Sequence, residues 1–472
     1  MTLPATTPDR DSKKQSAELV RGLNAWHATS IVAGTIIGSG IFLVPAEMMQ
    51  AVGSAGLVYL AWIVGGLLSF FGAVTYAELG SVRPYAGGEY VYVRDAYGPL
   101  PGFLYGWTWF LIAKPASIAS VTSGLVRVLG TFAAFSFLPQ TLFAWHVTAS
   151  RVLVVNYGHL FAVGANVLIT GLNYVGVRKA GNFQFVFTVL KVAMIVGIAL
   201  VALTASSGSW SNFGTSFAGA KGGMVGFMAA LVAALWAYDG WNDLNMVSEE
   251  IQRPEKTIPI ALICGVALVA VLYMGMNAGI QRALPATAIA EAAVPAAAAS
   301  EAAIGHVGVS LVSIGMIVSM LAGLNGTIMS GGRVPFAVAR DGYLFKALAE
   351  VHPKFHTPGL ALVIQGAMAV VLELVGGAFR ELFSLAIFAE WLFYAVAAST
   401  IFVFRRREPG VKRPYRTIGY PVVPALFIAT AAVLLYYTFT SNLRDSIGGL
   451  AVILLGVPVY WWFARKKRLA GQ

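Results

Sequence analysis

The sequence predicts an all-α polytopic membrane protein. Its 472 residues are 58% hydrophobic and only 11% charged, which leaves too little polar surface to cover a soluble globule of this size. Long apolar runs recur along the whole chain, and each reaches the roughly 20 residues that a spanning helix needs. The runs lack the alternation of a membrane β-strand, so the need to satisfy backbone groups within lipid predicts helices.

Twelve spans are predicted, with boundaries soft by about two to four residues. In chain order they are 25–46, 56–79, 102–126, 155–176, 183–205, 224–247, 258–280, 308–332, 359–377, 382–404, 421–440 and 446–464. The predicted organisation is a tail 1–22, a first repeat 23–206 (spans 1–5), a second, inverted repeat 207–407 (spans 6–10), and 408–472 with spans 11 and 12 and the C-terminal tail.

Basic residues are distributed unequally between the two sides of the predicted spans. Of the 32 Lys and Arg residues, 24 lie in the termini and the connections after even-numbered spans, six lie in the other connections, and two lie inside spans. Because basic residues concentrate on the cytoplasmic side, we expect both termini in the cytoplasm of a cell membrane. Contact with anionic lipid explains the net charge of +11, so no nucleic-acid partner is expected.

Several functional classes lack their sequence signals. The N-terminal stretch is polar as far as Leu23, which predicts no cleaved signal peptide. The single cysteine, Cys264, excludes a disulfide framework. The six histidines show no metal-binding spacing, so neither a metal nor another cofactor is expected. No GxSxG, Walker A motif or pair of catalytic carboxylates is found, which argues against an enzyme and against ATP-driven transport.

Two spans contain helix-breaking residues at matching places. Span 1 has Gly38-Ser39-Gly40 at its middle, and span 6 has Asp239-Gly240. Either feature alone would be explained by close helix packing, which glycine permits. The two spans lie five apart, however, so they cross the membrane in opposite directions. This arrangement is typical of an inverted repeat whose interrupted helices meet near the midplane.

Interrupted helices expose backbone groups that a zwitterion can use. A half-helix N-terminus carries partial positive charge, which suits a carboxylate, and a C-terminal half-end suits an ammonium. Such groups are tolerated at depth only where they line a polar cavity. Because an α-amino acid carries both a carboxylate and an ammonium, it suits both helix ends, and an L-amino acid is the predicted substrate. Ser39 adds a hydroxyl. Trp236 and Trp241 flank the second break, where we expect them to close over a bound side chain rather than only to pack in the core.

Three charged residues inside spans are further candidates. Asp239 could accept the substrate ammonium, a basic side chain or a lysine, or it could cap the half-helix that follows. Lys191 lies about 12 Å along a helix from Phe183, which is deep for snorkelling. We expect its ammonium to donate to unwound carbonyls of span 1, where a sodium ion would otherwise bind, and it could couple transport to protons. Lys114, which precedes Pro115, faces the cavity or pairs with an acid such as Asp239.

Weaker polar candidates for the cavity are Asn277, Asn325 and Tyr394, in spans 7, 8 and 10. The longest segment outside the spans, 282–304, is rich in alanine. It is either a low-complexity connector or a re-entrant helix that caps an external vestibule. The helical alternative is favoured because alanine is a strong helix former and the segment lacks linker composition.

Five stretches resemble the L-amino acid transporter (LAT-type) branch of the amino acid–polyamine–organocation superfamily, in a bacterial form. They are GTIIGSGIF, YAELGSVRPYAGGEYVYVRDAYGP, WAYDGWNDLNMVSEEIQRPEKTIP, LNGTIMSGGRVPFAVARDGYL and RPYRTIGYPVVPALF. The resemblance covers nearly the whole chain. It implies a leucine-transporter-like fold of five plus five helices with two additional helices, alternating access, sodium independence, and exchange of one amino acid for another.

The same resemblance assigns roles to site residues. Backbone at positions 38–40 would hold the substrate carboxylate, and backbone near Trp236, Ala237 and Asp239 would hold its amino group. Trp236 would be the aromatic gate, and Lys191 would replace sodium. The complete set of expected substrate-binding residues is Ile36, Gly38, Ser39, Gly40, Ile41, Trp236, Ala237, Asp239, Gly240 and Trp241.

One departure from the family pattern concerns partners. Animal members are joined to a heavy chain through a cysteine in the external loop between helices 3 and 4. That loop, 131–154, has no cysteine here, so no disulfide-linked heavy chain is expected. Position 239 is glycine in some relatives and aspartate in others, which leaves the side-chain preference open. The alternatives are a proton-coupled amino acid or polyamine symporter of the same fold and, from another class, a nutrient-sensing membrane receptor.

Overall fold

Helices form most of the chain in the computed structural model, which describes residues 17–148, 151–375, 379–441 and 443–469. The first helices are α1 (Ala25–Ile36), α2 (Gly40–Val52), α3 (Ala55–Val82), α4 (Glu89–Tyr97), α5 (Pro99–Thr108) and α6 (Lys114–Leu129). The central ones are α7 (Tyr157–Tyr174), α8 (Val177–Thr204), α9 (Gly223–Ala237), α10 (Asp243–Met246), α11 (Pro254–Ala283), α12 (Ala286–Glu291) and α13 (Pro295–Ile304). The last are α14 (His306–Gly331), α15 (Arg333–Arg340), α16 (Gly359–Val375), α17 (Phe379–Arg407), α18 (Val422–Ser441) and α19 (Leu443–Leu469). The predicted all-α polytopic fold is confirmed.

Every predicted span coincides with a helix or with a pair of helices. Span 1 corresponds to α1 and α2, span 3 to α5 and α6, and span 6 to α9 and α10, while the other nine each match one helix. Within the described residues, eight helical segments are long and apolar enough to cross a membrane, and the shorter apolar helices α9 and α16 accompany them. The count of twelve spans and the repeat boundaries 23–206 and 207–407 stay predictions.

A β-hairpin follows α6, in the connection where the sequence predicts only a loop. Strands β1 (Thr141–Thr148) and β2 (Arg151–Asn156) pair antiparallel, with Ala144 opposite Val154. The stretch is rich in β-branched and aromatic residues, which favour strands. Two short strands between long apolar helices give only a weak periodic signal, so the sequence did not reveal them. The end of the helical body that carries this hairpin is called the hairpin face below.

The opposite ends of the helices are joined by polar contacts, and this side is called the terminal face. Arg94 of α4 forms an ion pair with Asp341, and Arg340 of α15 forms another with Glu249 at 2.9 Å. Lys467 of α19 donates to the Asp341 carbonyl at 2.7 Å. Basic residues from three of the predicted even-numbered connections or tails therefore meet on one face.

The alanine-rich segment folds into α12 and α13, so its helical alternative is confirmed and the connector alternative is wrong. The Gln50 amide of α2 donates to the Ala290 carbonyl of α12 at 2.6 Å. On α14, Gly308 lies directly against the Ser300 backbone of α13. None of the residues 282–304, all of which the structure describes, lines the cavity discussed below. The vestibule-capping role stays a prediction.

Small residues let the interrupted helices lie close to their neighbours. A Cβ at Gly265 of α11 would lie 2.5 Å from the Val32 side chain of α1. A Cβ at Gly65 of α3 would lie 3.0 Å from Ala234 of α9. Close approach matters because lipid tails are as apolar as the side chains, so packing rather than hydrophobicity joins membrane helices. Helices α3 and α11 thereby hold both interrupted helices inside the protein.

Candidate functional site

The first interrupted helix frees backbone groups at positions 37–39. Helix α1 ends at Ile36 and α2 begins at Gly40, so the predicted interruption is confirmed. Within the described chain, the N–H groups of Gly38 and Ser39 meet no backbone acceptor. The first turn of α2 adds further free N–H groups, as any helix start does. Together these groups form a site that suits an anion such as a carboxylate.

The carbonyl groups at the end of α1 are bound by Lys191 of α8. Its Nζ donates to the carbonyls of Gly34 at 2.8 Å, Ile37 at 2.7 Å and Ser319 at 3.2 Å. The Ser319 hydroxyl also donates to the Ile37 carbonyl, at 2.7 Å. Lys191 is 1% exposed. The predicted contact between its ammonium and the unwound carbonyls is confirmed, and snorkelling is wrong. Lys191 lies behind the break rather than in the cavity lining.

The second interrupted helix turns at Gly240. Helix α9 ends at Ala237 and α10 begins at Asp243, so this predicted interruption is also confirmed. Gly240 has a φ of +104°, which residues with a side chain rarely adopt. A Cβ there would lie 3.1 Å from the carbonyl carbon and oxygen of Thr35. The Thr35 hydroxyl donates to the Gly240 carbonyl at 2.7 Å. Glycine at position 240 therefore lets the two breaks touch.

Tyr273 of α11 holds the two breaks in a fixed relation. Its hydroxyl lies 3.2 Å from the Ile36 carbonyl and 2.9 Å from the Ala237 carbonyl, which are the last residues of α1 and α9. The tyrosine is fully buried. One buried hydroxyl thus lies within hydrogen-bond distance of the last carbonyl of each interrupted helix, and its single proton can satisfy one of them at a time.

A cavity lies between the two breaks, and most of the predicted site residues line it. Eight of the expected substrate-binding residues are among its walls, namely Ile36, Gly38, Ser39, Gly40, Trp236, Ala237, Asp239 and Gly240. Lys114 and Tyr394 line it as well. Along α6 the lining continues from Lys114 through Ser117 and Ser120 to Gly124, toward the hairpin face.

Contacts at the terminal face close the other side. The Leu23 N–H donates to the Glu250 carbonyl at 3.0 Å, and the Gln252 N–H donates to the Leu23 carbonyl at 2.8 Å. Glu250 forms an ion pair with Arg333 at 2.7 Å, with both side chains fully buried. Removing one member of such a pair is costly because the other charge is left buried alone. These contacts fasten the segment before α1 against the region that follows α10.

The two tryptophans beside the second break have different environments. Trp236 is 39% exposed and lines the cavity. Trp241 is buried, with its ring centroid 4.8 Å from that of Tyr76 and 6.0 Å from that of Phe427. Its predicted closure over a bound side chain is therefore wrong. Ile41 is likewise buried outside the lining. In the unwound turn the helical period does not apply, which is why Trp241 points into the core.

Charged and polar side chains form the cavity wall near the second break. The Tyr394 hydroxyl donates to Asp239 Oδ1 at 2.9 Å, and Asn242 Oδ1 lies 3.3 Å from the same hydroxyl oxygen. Lys114 forms an ion pair with Asp243, and both side chains are nearly buried. Both alternatives for Lys114 therefore hold, since it lines the cavity and pairs with an acid, but that acid is Asp243 and not Asp239.

The capping role considered for Asp239 is wrong. Helix α10 begins at Asp243, so Asn242 occupies the N-cap position, and it makes no side-chain capping bond. Asp239 lies three residues earlier, within the turn. Its carboxylate therefore faces the cavity instead of a helix end.

A π-helical turn, Trp109–Ala113, places Lys114 at the cavity. Pro115 lacks the N–H that the Leu111 carbonyl would accept in a regular helix, as the sequence predicted. Single π-turns inside helices occur frequently at functional sites.

Asn277 and Asn325 do not reach the cavity, so their prediction as cavity residues is wrong. Asn277 donates to the Tyr273 carbonyl on its own helix at 2.8 Å. Asn325 of α14 donates to Gln184 of α8 at 2.7 Å. A buried amide needs hydrogen-bond partners wherever it lies, so its presence in a span does not distinguish a cavity from a helix contact.

Several site residues were missed from the sequence. Asp243 and Glu390 are acidic residues in or beside apolar runs, the same signal that identified Asp239, and could have been found in that way. The hydroxyls of Thr35, Tyr273 and Ser319 carry no comparable signal, since hydroxyl side chains are common in membrane helices and often satisfy their own backbone.

Comparison with known proteins establishes the family. The model of the amino acid permease family matches residues 23–463. This chain belongs to the amino acid permease family. The permease is 32% identical over 445 residues to the serine/threonine exchanger SteT of Bacillus subtilis (strain 168), covering 93% of this chain and 96% of that relative. It is 29% identical over 467 residues to the b(0,+)-type amino acid transporter 1 of Rattus norvegicus, covering 98% and 91% of the two chains.

A third relative is the cystine/glutamate transporter of Homo sapiens, 29% identical over 463 residues, with 98% of this chain and 89% of that relative covered. These matches confirm the predicted resemblance to the LAT-type branch. The permease is thus a multi-span membrane protein of a family of transporters rather than enzymes.

Proposed function

We propose that the permease is a sodium-independent exchanger of L-amino acids that works by alternating access. We also propose that both termini lie in the cytoplasm of a cell membrane, as the distribution of basic residues predicts. Exchange is supported by a relative that is itself named an exchanger. The structural support comes from the two breaks and from Lys191.

The proposed substrate-binding site lies between the two interrupted helices. The free N–H groups of Gly38 and Ser39 would hold the carboxylate. The carbonyl end of α9 and the Asp239 carboxylate, which both line the cavity, would hold the ammonium. Trp236 has the exposed ring that could cover a bound side chain. An α-amino acid, which carries its carboxylate and its ammonium on the same carbon, can bind to both helix breaks at once.

The observation that carries sodium independence is the position of Lys191. Backbone carbonyl oxygens are ligands that hard cations prefer. Here the carbonyls of Gly34, Ile37 and Ser319 converge on the Lys191 ammonium within 3.2 Å. A sodium ion at the same place would meet a like charge at contact distance, so the fixed ammonium takes the place of the ion.

Alternating access is supported by the difference between the two faces. The cavity lining extends along α6 toward the hairpin face, whereas Leu23, Glu250 and Arg333 close the terminal face. In the proposed cycle those contacts break and the cavity opens to the terminal side, which requires movement of α1 relative to the remaining helices.

Counterflow in proteoliposomes tests the proposal. Vesicles are preloaded with a mixture of the twenty amino acids, and uptake of each labelled amino acid is followed in sodium chloride and in choline chloride. We expect uptake that needs the internal amino acids and is equal in the two salts. Uptake into empty vesicles driven by a pH gradient would instead indicate a symporter, and binding without flux would indicate a receptor. Either result would overturn the exchanger.

A further inference from the structure

Acidic side chains outnumber basic ones in the wall of the cavity. Among the described residues that line it, the acidic and basic side chains are Lys114, Asp239, Asp243 and Glu390. Lys114 and Asp243 form an ion pair and neutralise one another. The described lining holds no other lysine or arginine that could pair with Asp239 or Glu390. These two acidic side chains of the cavity wall are therefore without a basic partner in the wall.

Glu390 of α17 is the less constrained of these two carboxylates. Asp239 is held by the Tyr394 hydroxyl at 2.9 Å. Glu390 accepts no hydrogen bond from any residue that the structure describes, although it lines the cavity. Its ionisable neighbours are Asp239, Asp243 and Glu89 together with Lys114, so acidic groups outnumber basic ones around it. Lys191 does not compensate it, since its ammonium is bound behind the first break.

An uncompensated carboxylate at this depth is costly unless a cation reaches it. A neutral amino acid brings no net charge, because its carboxylate and its ammonium are both used at the breaks. We propose that the permease selects amino acids with a cationic side chain, and that Glu390 receives the side-chain cation. This proposal rests on the amino acid transport proposed above and adds the substrate class. Acidic side chains would be excluded by the same carboxylates.

Pairs of amino acids that differ mainly in charge provide the test. Arginine and citrulline have nearly the same shape, as do lysine and norleucine. Each of these four unlabelled amino acids is added as a competitor, and the remaining counterflow of the labelled amino acid that is exchanged fastest is measured. The measurement is made for the wild type, for Glu390→Gln and for the control Glu373→Gln. Glu373 is a buried carboxylate of α16 that lies outside the cavity lining. Each variant is first checked for a single peak in size-exclusion chromatography and for its Tm.

A charge-assisted hydrogen bond contributes enough for about a 10-fold preference. We expect arginine to compete about 10-fold more strongly than citrulline in the wild type and in Glu373→Gln, and the ratio to fall close to one in Glu390→Gln, with citrulline affinity retained. A wild-type permease that exchanges amino acids but prefers citrulline would overturn the substrate class and leave the exchanger intact. Absence of exchange with every amino acid would overturn the exchanger itself.

A proton is the competing cation for Glu390. In that case Glu390→Gln would abolish a response of uptake to a pH gradient, while the arginine-to-citrulline ratio stayed at its wild-type value. An unchanged ratio would overturn the proposed side-chain contact, whatever the response to pH. A ratio that falls in Glu390→Gln and not in Glu373→Gln would support it.

Discussion

The substitution Lys191→Ala removes the ammonium that joins α8 to the end of α1. The Ile37 carbonyl keeps the Ser319 hydroxyl at 2.7 Å, and the Ser319 carbonyl lies inside helix α14. The Gly34 carbonyl, however, loses its donor at 2.8 Å. The substitution loses all three bonds of the ammonium, but only the Gly34 carbonyl is left without a donor, so we take the cost as about 3 kcal/mol. This corresponds to a loss on the order of 100-fold in the population that holds α1 in this position.

Folding stability should fall by less than that amount, because removing a buried charge also removes its desolvation cost. We therefore expect Lys191→Ala to lower the initial rate of counterflow by on the order of 100-fold, with a small change in Tm. The control is Lys179→Ala, an exposed lysine on the same helix, which should exchange at the wild-type rate. Wild-type exchange by Lys191→Ala would refute the role given to this ammonium.

Three further predictions concern the turn, a buried acid and the orientation. Gly240→Ala should cost about 2 kcal/mol of stability, because alanine cannot easily adopt φ +104° against the first break; Gly275→Ala, which meets open space, should leave Tm and exchange unchanged. Burial raises the pKa of Glu89, in the connection between α3 and α5, from 4.5 to about 7. The folded protein therefore loses stability as the pH rises through that range, because the buried Glu89 must then become charged. Glu89→Gln cannot ionise, so it should raise Tm more at pH 8 than at pH 5. An equal change in Tm at both pH values would contradict this prediction. In a background without the native cysteine, an impermeant maleimide added to intact cells should label Ser206→Cys and not Lys412→Cys, and the reverse pattern would invert the proposed topology.

The helical architecture could be predicted because its signals are local. Each apolar run is long enough to specify a helix by itself. The breaks at Gly38–Gly40 and Asp239–Gly240 were predictable because glycine lies at matching places in two spans of opposite direction. The hairpin was missed because its strands are short and lie outside the apolar runs. Strand pairing depends on residues that the local pattern does not connect.

Contacts in the candidate site could be predicted only where a charged residue lies so deep in a span that it must find a partner within the protein. Lys191 lies too deep to reach water, so a backbone partner at the break could be expected. The partner of Lys114 could not be predicted, because Asp239 and Asp243 are separated by an unwound turn whose path the helical period does not describe. The same turn directs Trp236 to the cavity and Trp241 to the core.

The central claim is that the two interrupted helices bind the carboxylate and the ammonium of an amino acid. A structure of the permease with its best exchange substrate bound tests this claim most directly. The account predicts density for the carboxylate within hydrogen-bond distance of the N–H groups of Gly38 and Ser39, and for the ammonium at the end of α9 beside Asp239. Density for the amino acid elsewhere, with the N–H groups of the first break bound to protein groups instead, would contradict it.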